Sequence, residues 1–388
     1  MSEWKEVSLS ELGKTITGKT PSSQYPEDFG DEVPFITPSD SFEKKYISRS
    51  ERYLSRLGSD RLKDKIISSD SIMVTCIGSA MGKVAKNSLP SVTNQQINSI
   101  IVNENFDSDY IYYLFKNNYA VFRNAASGST AIPILNKTDF DNLRFKVELN
   151  LNEQRKMVSI LSKIDAKIEI NNQINQELEA MAKTLYDYWF VQFDFPDQNG
   201  KPYKSSGGKM VYHPELKREI PEGWGVEKLS HFLTIKNGKD HKHLQDGKFA
   251  VYGSGGIMRT VADYLYSGES ILFPRKGTLN NVMYVNEKFW TVDTMFYSEV
   301  NKNTSALYVF YSVKDIDFNK LNTGTGVPSM TSSILYDLNI VVPEENILEK
   351  FNTVVKRNYE TIKLNNIQNQ ELTQLRDWLL PMLMNGQV

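Results

Sequence analysis

Two segments of the chain place apolar and amide side chains at alternating intervals of four and three residues. One segment runs from Met157 to Leu185 and the other from Phe351 to Leu379. This heptad spacing predicts two helices of roughly 30 to 35 residues that pack along a common seam. The predicted seam residues are Leu161, Ile164, Ile168, Asn171, Asn175 and Leu178 in the first helix and Val355, Asn358, Ile362, Asn365, Asn369 and Leu372 in the second.

The two helices also share their sequence. Residues 169–178 read EINNQINQEL and residues 363–372 read KLNNIQNQEL, with six of the ten positions identical. Similarity at about half the chain length indicates two copies of one unit. A buried Asn lowers the stability of a coiled coil but fixes its register. We therefore predict an antiparallel helix pair within one chain, related by pseudo-two-fold symmetry. Two unrelated surface helices are the alternative, which the coinciding registers disfavour.

Each helix follows a body of roughly 120 to 150 residues. Short apolar runs bounded by Gly, Asn and Ser, such as 71–75 and 270–273, predict mixed, mostly β bodies. Residues 109–121 predict one short helix. The bodies match at their starts, Trp4 and Trp224, but diverge more than the helices do. This contrast indicates two bodies of different specificity on one shared scaffold.

The predicted fold class is α+β, with two bodies joined by two long antiparallel helices. Asn150 and Glu153 predict a capping pair at the start of the first helix. The polar stretch before the second body, rich in Gly, Ser and Lys, predicts a linker that no core needs. The predicted segments are a first body at 1–149, a central helix at 150–190, a connector at 191–222, a second body at 223–343 and a C-terminal helix at 344–388.

Composition and charge narrow the class of protein. Of the 388 residues 40% are hydrophobic and 24% charged, which is ordinary for a soluble globular protein. No apolar run reaches membrane-spanning length, the start lacks signal-peptide features, and Cys76 is the only cysteine, so we expect a cytoplasmic protein without membrane contact. The net charge of −2 gives no global sign of nucleic acid, so a DNA surface would depend on local patches or on partners.

Gly13 to Thr20 match the phosphate-binding pattern G-x-x-x-x-G-K-[ST]. A true phosphate loop lies between a buried strand and a helix. Here Pro21 follows at once, and the second copy reads LTIKNG at 233–238 instead. We therefore interpret the segment as a polar or DNA-contacting loop, and a nucleotide-hydrolysing enzyme is the alternative.

Other catalytic and metal chemistry is poorly supported by the sequence. His241 and His243 could be two metal ligands, but a third is missing and Lys242 would repel a cation, so we predict no metal site. A methyltransferase acting on base amino groups would need a Pro-Pro-aromatic motif, and the chain has no Pro-Pro. We predict no catalytic residues, which favours a protein that binds rather than catalyses.

Candidate nucleic-acid contacts lie on Gly-rich and polar loops. Such loops let the backbone approach phosphates, while Arg, Lys, Asn and Gln read base edges. A basic stretch from Arg49 to Lys65, diluted by acidic residues, adds to them. An ordinary solvated loop is the alternative for each residue. The candidates are Lys19, Thr20, Ser79, Lys83, Asn94, Gln95, Gln96, Ser127, Ser129 and Thr130 in the first body and Ser254, Arg275, Lys276, Thr278, Asn280, Thr323 and Thr325 in the second.

Several runs of sequence together resemble one family, the specificity subunits of type I restriction-modification systems, over essentially the whole chain. The connector run is highly specific, whereas the loop motifs are weak alone. In the second body Gly238-Lys239 is followed by Asp240 rather than by Thr-Pro, so its loop contacts are carried over less directly. The matching runs are Gly18-Lys19-Thr20-Pro21 after an opening Trp, Gly128-Ser129-Thr130 before Ile132-Pro133, Glu153-Gln154, 193–196 through 204–208, 216–224, and Leu379-Leu380-Pro381.

The resemblance implies a DNA-binding subunit without catalysis of its own. Two target recognition domains would each read one half of a split, asymmetric target in double-stranded DNA, and the helices would set the spacer. Two methylation subunits would dock on this scaffold, and restriction subunits would join them. S-adenosylmethionine and ATP would belong to those partners and not to this chain. A coiled-coil scaffold that binds only proteins is an alternative that leaves the two large bodies unexplained.

Overall fold

The chain, described here from a computed structural model, divides into two compact units. The first unit contains Met1–Asn172 and Asn366–Val388, and the second contains Gln173–Asn365. The segments predicted from the sequence separate bodies from helices, whereas the folded chain groups each body with the helical segments it packs against. The structure describes residues 3–78, 81–125, 133–301, 306–322, 324, 326 and 328–387.

The first unit mixes short strands with short helices. Its strands are β1 (Trp4–Ser8), β2 (Gly13–Thr17), β3 (Phe29–Gly30), β4 (Val33–Ile36), β5 (Tyr46–Ile47), β6 (Tyr53–Leu54), β7 (Ile66–Ile67), β8 (Ile72–Thr75), β9 (Val84–Asn87), β10 (Ser91–Thr93), β11 (Ile97–Val102) and β12 (Arg144–Glu148). Its helices are α1 (Leu9–Leu12), α2 (Arg56–Arg61), α3 (Ser108–Asn117), α4 (Tyr119–Asn124), α5 (Lys137–Asp141) and the first part of α6 (Leu151–Tyr186), and single 3-10 turns lie at Pro26–Asp28 and Lys63–Lys65.

The described strands of the first body form three sheets. Strands β1 and β12 form an antiparallel pair, and the two five-stranded sheets have the orders β2-β11-β8-β9-β5 and β3-β6-β4-β10-β7. Successive side chains of β8 point to opposite faces, as strand geometry requires. Ile72 and Val74 pack into one core cluster with α3, whereas Met73 packs into another with Ile36. The central strand is thus buried on both sides.

Helix α3 fills the larger core of the first unit. Asp107 caps it, because its Oδ1 accepts hydrogen bonds from Asp109 N (3.0 Å) and Tyr110 N (3.1 Å). All residues from Tyr110 to Phe115 are buried. The single helix predicted at 109–121 is in fact two helices, since α3 ends at Asn117 and α4 begins at Tyr119.

The second unit repeats this design with a different outer sheet. Its strands are β13 (Met210–His213), β14 (Arg218–Pro221), β15 (Gly225–Lys228), β16 (Leu233–Asn237), β17 (Asp246–Gly253), β18 (Gly256–Val261), β19 (Tyr266–Pro274), β20 (Met283–Thr291), β21 (Met295–Val300) and β22 (Asn339–Val342). Its helices are the end of α6 followed by a π-helical turn at Asp187–Val191, α7 (Leu229–Phe232), α8 (Ala306–Lys314), a 3-10 turn at Phe318–Leu321, α9 (Ser332–Tyr336) and α10 (Glu345–Met384). Helix α10 continues into the first unit.

The sheets of the second unit follow the order of the first. Strands β15 and β22 pair antiparallel, and one sheet runs β16-β21-β19-β20-β17-β18. The hydrogen bond from Leu9 N to Leu143 O in the first body recurs as Leu229 N to Leu338 O in the second, both at 2.8 Å. The α+β class and the internal repeat predicted from the sequence are confirmed.

The long helices pair antiparallel within each unit. In the first unit, Asp165 pairs with Arg376 at 3.0 Å and Asn171 pairs with Asn369 at 2.8 Å. The residue number increases along α6 while the partner's number decreases along α10, so the two helices run antiparallel. In the second unit, Asn365 Nδ2 donates to Asn175 Oδ1 at 2.8 Å. With 36 and 40 residues, the helices are longer than predicted. The seam residues that lie buried or half-buried are Leu161, Ile164, Ile168, Asn171, Asn175, Leu178, Val355, Asn358, Ile362, Asn365, Asn369 and Leu372.

One local prediction was wrong, and another is confirmed only in part. The connector is part of a core: Phe193 and Phe195 are buried beside Trp224, because their rings pack with the end of α6. The capping pair is only half formed. Asn150 Oδ1 accepts from Asn152 N at 3.0 Å, but the Glu153 carboxylate bonds Lys156 instead of turning back to the cap.

Candidate nucleic-acid interface

A tight glycine turn organises the loops at one end of the first body. Gly18 N donates to Ile97 O at 3.1 Å, and Lys19 N donates to Thr93 O at 2.8 Å. A Cβ at Gly18 would lie 2.1 Å from Asn94 O, so only glycine lets the two loops approach this closely. Lys19 and the residue after it are thereby held against the loop that follows β10.

The side chains on this turn separate into structural and surface groups. Asn94 is buried and bonds Gln96 through both its side-chain atoms, at 3.1 Å each. It supports the loop and does not face solvent. Thr20 Oγ1 donates to Gln95 Oε1 at 2.6 Å, and Gln95 and Lys19 are exposed. These are the residues of the first turn that can meet a ligand.

A third loop completes what we call the first loop cluster, residues 18–20, 94–96, 76–78 and 133–135. Cys76 N donates to Gln96 O at 2.8 Å, and Gly78 N donates to Pro133 O at 3.1 Å. Lys83 lies nearby in sequence but donates to Glu43 at 2.6 Å, a hydrogen bond that lowers the pKa of that carboxyl. The candidates Ser79, Ser127, Ser129 and Thr130 lie outside the described residues.

The second body repeats the glycine turn. Gly238 N donates to Met295 O and Lys239 N donates to Thr291 O, both at 2.9 Å. A Cβ at Gly238 would lie 2.0 Å from Val292 O. By this correspondence Asp240 stands where the first body has Thr20.

The third loop of the second body is also equivalent. Arg275 N donates to Thr294 O at 2.8 Å, and Gly277 N donates to Pro328 O at 3.2 Å. Residues 238–240, 292–294, 275–277 and 328–330 therefore form a second loop cluster on the same backbone frame. Asp293 takes the place of Gln95 in it.

The remaining candidates of the second body lie around this cluster. Ser254 O accepts a hydrogen bond from Asn281 Nδ2 at 2.8 Å, which ties the β17–β18 turn to the Arg275 loop. Thr278 is exposed. Asn280 Nδ2 donates to Asp317 Oδ1 at 3.2 Å, so it is partly engaged within the chain. Thr323 and Thr325 lie outside the described residues.

Both clusters carry exposed cations. Lys19, Lys239, Arg275 and Lys276 are exposed, and within the described part of the chain none of them forms a salt bridge. In the basic stretch from Arg49 to Lys65, some of the cations contact other side chains of the first body. Arg61 pairs with Asp28 at 2.5 Å, and the Arg52 guanidinium lies 4.1 Å from the ring centroid of Phe29.

Comparison with known proteins decides the family. The sequence model described as the type I restriction modification DNA specificity domain matches residues 1–180 and again 221–374. The chain belongs to the type I restriction-modification DNA specificity family. Each match contains one body and most of one long helix, in agreement with the internal repeat.

Relatives from the specificity family match between 41% and 100% of the chain. The type I restriction enzyme MjaIX specificity subunit of Methanocaldococcus jannaschii is 29% identical over 419 residues, spanning 100% of this chain and 94% of the relative. The HindI specificity subunit of Haemophilus influenzae is 37% identical over 165 residues, 41% of this chain and 36% of its own. The EcoR124I/EcoR124II specificity subunit of Escherichia coli is 30% identical over 202 residues, 50% of this chain and 48% of its own.

A solved structure supports the fold of the specificity family. The S subunit of a type I restriction-modification system from M. genitalium superposes with a TM-score of 0.61 at 17% identity, covering 98% of this chain and 96% of that one. Family membership makes this chain a non-catalytic subunit that recognises DNA sequence and works in a complex with other subunits of the system. Within the described residues, no helix is long and apolar enough to cross a membrane.

The enzyme interpretation of the N-terminal motif is wrong on structural grounds. Gly13–Thr17 is itself strand β2, paired antiparallel with β11, and the next helical element after Gly18 is one 3-10 turn at Pro26–Asp28. A phosphate loop needs its glycines between a strand and a helix N-terminus. At the other motif considered, His243 Nδ1 lies 3.7 Å from Asp240 Oδ2, and the described residues contain no group of three or more metal-ligating side chains.

Sequence reasoning matched Gly238-Lys239 and Asp240 to the first loop but did not name them as contact candidates, and it missed Asp293 altogether. Its signal was present, because the TNQQI run at 93–97 aligns with TVDTM at 291–295. That alignment is weak by itself and becomes clear only through the shared hydrogen bonds to the glycine turns.

Proposed function

We propose that this chain reads a split, asymmetric DNA target, with each body reading one half-site. The observation that carries the proposal is the common frame of the two loop clusters. Both place an exposed lysine after a glycine turn, where it can meet phosphate, and both present variable side chains beside it. Thr20 and Gln95 in the first cluster correspond to Asp240 and Asp293 in the second. Equal frames with unlike side chains support unlike half-sites.

We infer that the long helices set the spacer between the half-sites. Buried amides support this role, because Asn171 is fully buried and hydrogen-bonded across the seam to Gln368 and Asn369, both at 2.8 Å. An alternative register would leave these amides without partners, which costs free energy in a buried seam. A helix pair of fixed register is suited to act as a ruler.

We infer further that two methylation subunits dock on the helices and that restriction subunits join through them. Large apolar side chains on the helix surfaces support this part of the proposal. Ile170 and Trp378 in the first unit are 50% and 60% exposed, and Met181 and Leu364 in the second are 59% and 67% exposed. Aromatic residues and methionine are enriched in protein interfaces relative to the rest of the surface. S-adenosylmethionine and ATP are assigned to the partner subunits.

A map of modified bases in the host genome tests the proposal. Deletion of the gene should abolish methylation at one split motif, and a plasmid copy should restore it. The two halves of that motif should differ in sequence. If deletion changes no split motif while the methylation subunits are expressed, the proposal fails, and a scaffold that binds only proteins becomes the better interpretation.

A further inference from the structure

Arg275 and Cys76 occupy the same place in the two loop clusters. The backbone N of each donates to the loop after the glycine turn at 2.8 Å, Arg275 to Thr294 O and Cys76 to Gln96 O. The backbone O of each accepts at 2.9 Å, from Met330 N and Leu135 N respectively. Both backbone groups of Arg275 are therefore fixed, and only its side chain is free to reach outward.

The two side chains lie beside equivalent residues of the neighbouring strand. The Cys76 thiol donates to Val74 O at 3.3 Å and interacts with Asn98, and the Arg275 guanidinium lies 5.8 Å from the ring centroid of Phe296. Asn98 and Phe296 are equivalent, because each pairs with the last residue of the strand before its glycine turn. A guanidinium over an aromatic face is held in place while its N–H groups stay available.

The two bodies differ in whether the side chain at this position is exposed on the surface that would face a ligand. Cys76 is 2% exposed and closed off within the core, whereas Arg275 is exposed. Among the described residues no carboxylate forms a salt bridge with Arg275. The first cluster presents the uncharged Thr20 and Gln95 near this position. At this position only the second body therefore presents a guanidinium, and among the described residues no carboxylate pairs with it.

We propose that Arg275 is a specificity-determining residue that reads a guanine in the half-site bound by the second body. The inference rests on the proposed function. The planar fork of arginine matches the O6 and N7 acceptors of guanine in the major groove, and no other base edge offers two acceptors there. The first body has no equivalent reader at this position, so its half-site carries no guanine requirement from this loop.

The test compares modified-base maps from cells that carry the whole complex with wild-type protein, Arg275→Gln, Arg275→Lys and a control, Arg218→Gln. Arg218 is a matched control because it is exposed and lies over Phe193 at 5.3 Å, but belongs to the connector hairpin. We expect one invariant G·C pair in the wild-type second half-site. It should become degenerate in Arg275→Gln, with discrimination reduced roughly 5- to 150-fold, and Arg275→Lys should lie between that variant and wild type, since lysine keeps donors but lacks the planar fork. The first half-site and the Arg218 variant should be unchanged.

Other outcomes overturn the inference. An unchanged motif in Arg275→Gln would remove Arg275 from base reading. Uniform weakening in Arg275→Gln that Arg275→Lys restores would mean a phosphate contact, since lysine replaces the charge but not the fork. Loss of all methylation in both variants would also count against it, because one base contact governs one position. A wild-type map without any split motif would instead sink the proposed function.

Discussion

Asn171 Nδ2 in the first long helix donates a hydrogen bond to Asn369 Oδ1 in the second, at 2.8 Å, inside the seam of the first unit. Asn369 Nδ2 in turn donates to Asn172 Oδ1 at 2.9 Å. The repeat makes Asn171 equivalent to Asn365 and Asn369 equivalent to Asn175. The bond from Asn365 to Asn175 in the second unit, also 2.8 Å, is thus the symmetry-related copy. In an antiparallel pair related by pseudo-two-fold symmetry, a contact from the first helix to the second must recur with the two helices exchanged, as these two bonds do.

Replacing one amide of the seam should cost stability, and replacing both should recover it. Asn171→Leu leaves Asn369 Oδ1 without its donor, which should lower the free energy of unfolding by about 1–3 kcal/mol. The double variant Asn171→Leu/Asn369→Leu should return close to wild type. Urea unfolding of all variants measures this. The exposed Gln176→Leu on the same helix is the control, and equal stability of Asn171→Leu and wild type would contradict the seam argument.

Lengthening one seam should change the spacer of the DNA target and leave both half-sites unchanged. Four residues inserted next to Ile168 add about one helical turn on one side of the first unit. We expect a methylated motif with the same two half-sites and an altered number of unspecified bases between them. A modified-base map reads this directly. A changed half-site sequence would argue against a ruler.

Lys19→Ala should weaken DNA binding without changing base preference. Lys19 is exposed at the first glycine turn, where a phosphate contact carries no sequence information. Affinity should fall by the same factor for cognate and unrelated duplexes, and the salt slope should decrease by about one. Lys14→Ala, exposed on β2, is the control. ATP turnover by this chain alone that Lys19→Ala abolishes would instead revive nucleotide binding at 13–20.

Lowering the pH should reduce the free energy of unfolding of the first unit, because Asp109 becomes protonated. Burial alone raises the pKa of this carboxyl, but hydrogen bonds from Lys45 and Lys86 outweigh burial and hold the pKa below its ordinary value. Lys86 Nζ lies 2.5 Å from Asp109 Oδ1 and is itself fully buried. A lowered pKa contributes stability that is present above the unfolded value, about 3.9, and is lost as the pH falls through the folded value.

Asp109→Asn should therefore lower the free energy of unfolding by about 1.5–3 kcal/mol at neutral pH, because it removes the carboxylate that Lys45 and Lys86 share and leaves the buried Lys86 with Asp70 as its carboxylate partner, at 2.6 Å. The difference from wild type should shrink as the pH falls below about 4. Urea unfolding at several pH values measures both effects. Asp64→Asn, whose side chain is 70% exposed and 3.5 Å from Lys65, should change neither. A difference that stays constant with pH would contradict the assignment.

The sequence by itself determined the parts of this protein that depend on local periodicity. A heptad is readable because side chains at alternating intervals of four and three residues must share one helix face, whatever surrounds the helix. The two helices, their seam and the internal repeat followed from that. The sequence alone also argued against a phosphate loop at residues 13–20, because Pro21 lies where such a loop must lead into a helix.

Only the tertiary structure decided which loop residues meet. Asn94 looked like a contact residue and is buried, because its amide is needed to support Gln96. The backbone of Arg275 is held by Thr294 O, to which its N donates, and by Met330 N, from which its O accepts, and both partners lie far from it along the chain. The connector enters a core because Phe193 finds partners that follow it by dozens of residues. Such contacts depend on how separate strands and loops pack in space, and no spacing along the chain encodes them.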